Sequence, residues 1–248
     1  YDRERFVRID DTQSPESVIA GALLAKHATG AERVSICIED NTPAAIQAII
    51  DAIDGRDVQV KVMRSKYPQG GEKPLVMAAL GREIPTGGLP LDVGVVVFNV
   101  GTMASLARMV LRDMPLTHRV VTVTGDGVEQ PKNLLVPIGT DFETVLTHCG
   151  GLKDSAERVI AGGPMMGFSV TDLSTPVTKG TSGITVLTRA DLRASATTAC
   201  VRCGMCVDTC PLDLVPTKLA LASRFKNLDV LERYSVESCM ECGCCAYQ

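Results

Sequence analysis

The chain of 248 residues lacks several features that would assign it to other classes of protein. It has no run near the roughly 18 consecutive apolar residues of a transmembrane helix, and its N-terminal stretch is not signal-like. Its 25 Lys and Arg residues are outnumbered by 29 Asp and Glu residues, so no basic face is predicted for nucleic acid. The 3 histidines show no ligand spacing, and no internal repeat is found.

Cysteine is abundant but unevenly distributed. Eight of the ten cysteines fall between Cys200 and Cys245. Cys37 and Cys149 lie elsewhere, and we interpret both as inert, buried thiols. Such clustering predicts metal binding in a reducing compartment rather than a disulfide framework.

The cysteine spacing is that of iron-sulfur proteins. The first group, "CVRCGMCVDTCP", has the ferredoxin spacing C-x2-C-x2-C-x3-C-P, formed by Cys200, Cys203, Cys206 and Cys210. The second, "CMECGCCAYQ", starts the same pattern with Cys239, Cys242 and Cys245, and residue 249 would be the eighth ligand. We predict two [4Fe-4S] clusters, with Cys210 joining the second group and Cys244 a bystander. Zinc is the alternative, although its sites typically use two separated pairs.

The first 115 or so residues alternate helices and strands, which is typical of a parallel α/β sheet. Ser14-Pro15 and Thr42-Pro43 each combine a helix cap with proline at the first helical position. Strands are predicted for "RVSICI" (33–38), "VQVKVM" (58–63) and "VGVVVF" (93–98), the last one buried because it is continuously apolar. A helix from about Thr102 to Arg112 follows.

Three further segments are predicted. Residues 116–168 are interpreted as a small β-rich module with one helix, and residues 169–198 as a connecting β segment. Residues 199–248 are the helical, cysteine-bearing end.

The stretch "KYPQGGEKPL" (66–75) follows the second predicted strand, and "FNVGT" (98–102) follows the third. Ligands of parallel sheets bind beyond the carboxyl ends of the strands, so both stretches are candidate binding loops. Gly70 and Gly71 allow backbone amides to approach a ligand, and Lys66 or Lys73 could balance a phosphate. The simpler alternatives are a surface turn, solvated charges and, for Asn99, a helix cap.

These motifs, with "GREIPTGG", "VVVFNVGT", "GGPMMG", "PVTKGTSG" and the doubled cysteine pattern, resemble the C subunit of the Rnf electron-transport complex across nearly the whole chain. The resemblance implies that residues 1–115 form a partial α/β flavin and NADH domain, similar to that of the NADH-binding subunit of respiratory complex I. It implies that residues 116–168 form a soluble-ligand-binding β-grasp (SLBB) module, and residues 199–248 a truncated ferredoxin-like domain.

The resemblance also implies particular cofactors and residues. A flavin mononucleotide (FMN) would exchange hydride with NAD(H), and the clusters would conduct the electrons onward. Glu72 matches the acidic residue beside the flavin and nicotinamide, and Tyr67 lies one position from the aromatic residue at the isoalloxazine ring. Asn99 and Thr102 match an Asn and a Thr of the complex I motif, whose intervening Glu is Gly101 here.

The expected function is that of a subunit of an ion-translocating ferredoxin:NAD oxidoreductase, peripheral on the cytoplasmic face of the bacterial inner membrane. Its partners would be the membrane and cluster-bearing subunits of the complex and, indirectly, ferredoxin. The family's glycine-rich nucleotide loop and last cluster cysteine are not found, so we expect a fragment of a longer protein. The alternatives are a cobalamin (corrinoid) reductase of related architecture and a non-catalytic, cluster-bearing adaptor.

Overall fold

The computed structural model describes residues 14–192 and 199–247, and the N-terminal "YDRERF" and Gln248 lie outside these ranges. Contacts between Cα atoms group the described residues into two compact units, 14–32 with 99–192 and 33–98 with 199–247. The domain boundaries at residues 115, 168 and 198 remain a sequence-based prediction. Within the described ranges, no helix is both long and apolar enough to cross a bilayer.

The first unit begins with a pair of helices, α1 (Pro15–Thr29) and α4 (Val100–Arg112), which pack against each other. The predicted cap of α1 is confirmed, because Ser14 Oγ accepts a hydrogen bond from the Ser17 amide at 3.2 Å. The helix ends at Gly30, whose φ of 68° is a left-handed conformation that glycine adopts without strain. Helix α4 begins at Val100, two residues before the start that was predicted at about Thr102.

Gly21 sets the distance between α1 and α4. A Cβ atom at this position would overlap the backbone carbonyl of Met103 on α4. Backbone cannot swing aside as a side chain can, so the two helices would have to separate. The small residue is therefore required for the observed packing.

We expect Gly21→Ala to lower the thermal unfolding midpoint. Overpacking costs about 1–3 kcal/mol, and alanine returns about 1 kcal/mol of helix propensity. Because the overlap is with backbone, the upper end of the cost applies, and we expect a net loss of up to about 2 kcal/mol. Gly163→Ala is the control, because a Cβ there meets no atom within 4 Å. Equal unfolding midpoints for the two variants, measured by circular dichroism, would show that α1 and α4 are not in close contact at Gly21.

The remainder of this unit is a five-stranded sheet with a helix against it. The strands are β3 (His118–Thr124), β4 (Lys132–Pro137), β5 (Ala156–Ala161), β6 (Phe168–Val170) and β7 (Gly183–Thr188), in the order β4-β3-β7-β5-β6. Helix α5 (Phe142–His148) follows β4, and Asp141 caps it by accepting from the Thr144 amide at 2.6 Å. Hydrogen bonds with the backbone and the side chain of Thr144 lower the pKa of the Asp141 carboxyl group.

Strand β7 lies in the middle of the sheet, although its residues belong to the predicted connecting β segment, 169–198. β7 pairs in parallel with β3 and antiparallel with β5, so it closes the sheet between two strands that precede it. The core beneath the sheet contains Phe142, Val121, Val136 and Ile184. The segment that was predicted to connect two domains thus supplies the middle strand of this sheet.

The "GGPMMG" motif forms the turn between β5 and β6. Gly162 has a φ of 101°, and its carbonyl accepts a hydrogen bond from Thr185 Oγ1 at 2.8 Å. The Gly167 amide donates to Gly163 O at 2.8 Å. A Cβ on Gly167 would lie 2.5 Å from Gly163 O and 2.7 Å from Ala161 O, so glycine is required at that position.

The second unit begins with β1 (Ser35–Glu39), α2 (Pro43–Ile53), β2 (Gln59–Met63) and α3 (Glu72–Leu80). The two strands pair in parallel, with Ser35 opposite Gln59, as the alternation of strand and helix predicted. Lys61 on β2 donates to the Ala79 carbonyl at 2.6 Å and so satisfies the last turn of α3. Thr42 Oγ1 bonds back to Glu39 O at 2.9 Å rather than to an amide of α2.

The predicted third strand at residues 93–98 is wrong. These residues follow a 3₁₀ turn, Pro90–Val93, and the Val95 amide donates back to Pro90 O at 3.0 Å. Val96 is 44% exposed and Phe98 46% exposed, so the segment is not covered on both faces. Among residues 33–98, only β1 and β2 form a sheet. The "FNVGT" stretch therefore does not follow a strand.

The cysteine-bearing end of this unit is helical, as predicted. It contains α6 (Met205–Asp208), α7 (Pro216–Arg224), α8 (Leu228–Arg233) and α9 (Cys244–Tyr247), with a 3₁₀ turn at Val236–Ser238. The two longest, α7 and α8, pack against each other between the two cysteine groups, and α6 packs against α9. The contact between α6 and α9 thereby brings the first and the second cysteine group together.

Candidate functional site

The loop after β2 is built from two tight turns. The Gln69 amide donates to Lys66 O at 2.7 Å, and the Gly71 amide donates to Pro68 O at 2.8 Å. Gly71 is the N-cap of α3, which makes Glu72 the first residue of that helix. An acidic side chain is favoured there by the helix dipole, independently of any ligand.

A cavity of about 620 Å³ opens beside this loop within the second unit. Lys66, Tyr67 and Lys73 line one side, and residues 211–215 with Tyr234 line another. The volume lies in the range of sites for small-molecule ligands, which is about 300–1,000 Å³. Glu83 and Asp213 line the same cavity, so its lining contains two acidic side chains beside the two lysines.

Asn99 and Thr102 lie in the other compact unit, at the start of α4. The Asn99 side chain caps this helix, with Oδ1 accepting from the Gly101 amide at 2.9 Å. Thr102 is exposed in the first turn. Asn99 is therefore a helix cap, which was the alternative considered from the sequence. A contact of Asn99 and Thr102 with flavin remains a prediction.

The seven predicted cluster ligands are distributed over loops and short helices. In the first group, Cys200 and Cys203 are exposed, whereas Cys206 on α6 and Cys210 are half-buried. In the second group, Cys242 is buried, and Cys239 and Cys245 are exposed. Cys244 and Cys245 are the first two residues of α9.

The two cysteine groups share one unusual backbone conformation. The residue before the second cysteine of each group is left-handed, with a φ of 58° at Arg202 and 54° at Glu241. The glycine after that cysteine is left-handed too, with a φ of 84° at Gly204 and 79° at Gly243. Residues with a side chain rarely adopt this conformation, so its recurrence at equivalent positions indicates two loops with the same task. The signal for this shared conformation in the sequence is the "CG" pair that both groups contain, Cys203-Gly204 and Cys242-Gly243.

Three of the predicted ligands act electrostatically on a fourth, Cys245. Partial burial raises the pKa of the Cys245 thiol, and the charges of Cys210, Cys239 and Cys242 raise it further. Burial also raises the pKa of Cys244, which hydrogen-bonds to Cys242 and lies near Cys210. The four are the set that the sequence assigned to one cluster, and Cys244 lies close to them.

The thiols as placed are not in metal-binding geometry. Within residues 14–192 and 199–247, no group of three or more His, Cys, Asp or Glu side chains is arranged to hold a metal ion. The chemistry of the donor set nevertheless fits an iron-sulfur cluster, because thiolates are the ligands that such clusters use and three other predicted ligands lie near enough to Cys245 to raise its pKa.

Two other cysteines lie outside this group. Cys149 is fully buried in the core of the sheet, and burial raises the pKa of its thiol. Burial also raises the pKa of Cys37 on β1. Cys149 is thus buried as the sequence predicted, whereas Cys37 is only half-buried, which differs from the prediction. A raised pKa keeps both thiols largely protonated.

Sequence reasoning missed the contacts between the loop and the second cysteine group. The Tyr67 hydroxyl donates to the backbone carbonyl of Cys242 at 2.7 Å. The Met240 methyl lies against Gly71, where a Cβ would overlap it. The loop therefore contacts the cysteine group directly, and no local pattern in the sequence could have indicated a pair 175 residues apart.

Two family models match the chain. Residues 9–108 match the Nuo51 FMN-binding domain, and residues 120–169 match the SLBB domain. A solved structure of an NAD+-reducing [NiFe]-hydrogenase in the air-oxidized state aligns with a TM-score of 0.52 at 22% identity, covering 72% of this chain and 37% of that one. The fold is therefore that of a complex I-type flavoprotein α/β domain, followed by a β-grasp SLBB module and a helical end.

Curated relatives identify the family. The C subunit of the proton-translocating ferredoxin:NAD(+) oxidoreductase complex of Clostridium ljungdahlii is 44% identical over 84% of this chain and 46% of its own length. The C subunit of the Na(+)-translocating complex of Acetobacterium woodii is 43% identical over 89% of this chain and 50% of its length. The C subunit of the ion-translocating oxidoreductase complex of Vibrio cholerae is 36% identical over 94% of this chain and 31% of its own length. The chain belongs to the family of Rnf C subunits and spans half or less of these relatives.

Proposed function

We propose that this chain is the electron-transfer part of an Rnf C subunit, passing electrons between NAD(H), FMN and two [4Fe-4S] clusters in ferredoxin:NAD oxidoreduction. One observation carries the proposal. A single compact unit contains both the cavity with Lys66, Tyr67 and Lys73 and the described cysteines of the two ferredoxin-like groups. A nucleotide site and a cluster site within one unit are what electron transfer between them requires.

The cavity residues would bind the flavin. Lys66 and Lys73 supply positive charge for the phosphate, and the Tyr67 ring offers an apolar face to the isoalloxazine. Gly70 is exposed, with open space where a Cβ would be, so its backbone is accessible to a ligand. Glu72 is exposed at the start of α3 and is available to the nicotinamide side. FMN would supply the exchange between hydride transfer and single-electron transfer.

The cysteines would hold the clusters. Cys210, Cys239, Cys242 and Cys245 make one complete ligand set, whereas Cys200, Cys203 and Cys206 make three quarters of another. Oxidation of one NADH releases two electrons and one proton. Because each cluster carries one electron, two clusters match one NADH, and the proton leaves to solvent.

The assembly would follow that of the relatives. The membrane and cluster-bearing subunits of an Rnf complex would be its direct partners, and ferredoxin an indirect one. The chain would be peripheral, on the cytoplasmic face of the bacterial inner membrane.

The test is reduction of the full-length protein, purified without oxygen. We expect it to retain FMN and iron, and we expect NADH to bleach the visible absorption of both. Retention of iron without FMN or NADH oxidation would overturn the enzyme proposal in favour of a cluster-bearing adaptor. Rapid electron transfer to added cobalamin would favour a corrinoid reductase instead.

We expect Lys73→Ala to weaken FMN binding about tenfold, because a hydrogen bond to a charged group contributes about 1.5 kcal/mol or more. Lys218→Ala is the matched control, since this lysine lies on α7 and does not line the cavity. The measurement is FMN fluorescence quenching in the full-length protein. Equal affinities of the two variants would show that Lys73 does not contact the phosphate.

A further inference from the structure

Neither flavin binding nor cluster binding explains the hydrogen bond from Tyr67 to Cys242. Tyr67 is half-exposed and lines the cavity, yet its hydroxyl lies 2.7 Å from the backbone oxygen of Cys242. Cys242 is only 8% exposed, so its carbonyl is largely shielded from competing water. A hydrogen bond in such a place is costly to leave unmade, because a buried carbonyl without a partner has also lost its water.

A second contact holds the same piece of backbone. Met240 packs its methyl group against Gly71, two residues before Cys242. Between them lies Glu241, in the left-handed conformation with a φ of 54°. A residue with this conformation persists only when the surroundings hold it in place. Contacts on both sides of Glu241, from Gly71 and Tyr67, supply that restraint.

We propose that Tyr67 is a positioning residue for the second cysteine group, where its hydroxyl holds the Cys242 backbone and so fixes the Cys242 sulfur toward the cluster. This role rests on the proposed function for its consequence in electron transfer. Tyr67 touches both the cavity and a predicted cluster ligand, so it also forms a direct hydrogen-bonded connection between the two sites. The positive end of its O–H dipole points at the cysteine backbone, which favours the more negative, reduced cluster.

The experiment compares Tyr67→Phe with Tyr234→Phe in the full-length protein. Each variant loses one hydroxyl and keeps its ring, and both tyrosines line the same cavity. Tyr67→Phe should keep its iron and have a lower midpoint potential for one cluster in an EPR-monitored redox titration. We expect about a threefold change in the oxidised-to-reduced ratio, which corresponds to about 30 mV for one electron. Tyr234→Phe should leave the potential unchanged.

A second measurement does not depend on the cluster. After iron has been removed from the full-length chain with a chelator, Cys242 should be alkylated by iodoacetamide several-fold faster in Tyr67→Phe than in Tyr234→Phe, as quantified by peptide mass spectrometry. Equal alkylation rates in the two variants would overturn the positioning role. A protein purified without iron would overturn the proposed function, whereas the alkylation rates would still decide whether Tyr67 holds Cys242.

Discussion

Replacing Cys245 by serine should lower the iron content of the full-length protein from about eight to about four atoms per chain, whereas replacing the adjacent Cys244 should leave it unchanged. Cys245 has the position that the ferredoxin spacing requires, and Cys244 does not. Serine oxygen is a poor ligand for iron in such clusters, so loss of one thiolate removes one cluster. The measurement is iron and acid-labile sulfide analysis after anaerobic purification.

The pair of variants is informative because the structure brings both thiols to the site. Cys244 hydrogen-bonds to Cys242 and lies near Cys210, while Cys245 is influenced by Cys210, Cys239 and Cys242. Loss of iron in Cys244→Ser with retention in Cys245→Ser would reverse the assignment. Loss of neither iron nor sulfide in Cys245→Ser would mean that the second group does not bind a cluster through this residue.

Local signals in the sequence were sufficient for the start of α1, whereas cluster binding by the cysteine groups remains a prediction. Ser14 followed by Pro15 specifies a cap and a first turn by chemistry within four residues, and α1 begins there. The cysteine spacing is likewise local, and the matching left-handed residues Arg202 and Glu241 are compatible with two equivalent loops.

Signals that depend on distant partners were not sufficient. The apolar run at residues 93–98 was predicted as a buried strand, but hydrophobicity alone does not provide a neighbouring strand, and the segment is half-exposed. The position of β7 between β3 and β5 depends on the whole sheet rather than on its own residues. The bond from Tyr67 to Cys242 joins segments that only the fold brings together.

This contact also answers why the loop at residues 66–75 combines an aromatic residue with adjacent glycines. The aromatic hydroxyl reaches the cysteine backbone, and Gly71 leaves room for the Met240 side chain. The same loop presents Lys66 and Lys73 to the cavity. Its composition therefore reflects two neighbours, a cavity on one side and a cysteine group on the other.

Phe142→Ala should destabilise the β-grasp sheet by about 3–5 kcal/mol, the usual cost of removing a large aromatic side chain from a core. Phe142 is 1% exposed and belongs to the core with Val121 and Val145. Phe168→Ala deletes the same atoms from the edge strand β6, where the ring is 68% exposed, and should change stability by no more than about 0.5 kcal/mol.

Native-state hydrogen exchange at the amides of β3 reports directly on this sheet. Where exchange occurs through opening of the sheet, a loss of about 3 kcal/mol corresponds to an acceleration of roughly a hundredfold or more in Phe142→Ala. In Phe168→Ala the rates should stay within about threefold of the unmodified protein. Similar exchange in the two variants would mean that α5 does not seal the core of the sheet, because filling that core is the only role the structure assigns to the Phe142 ring.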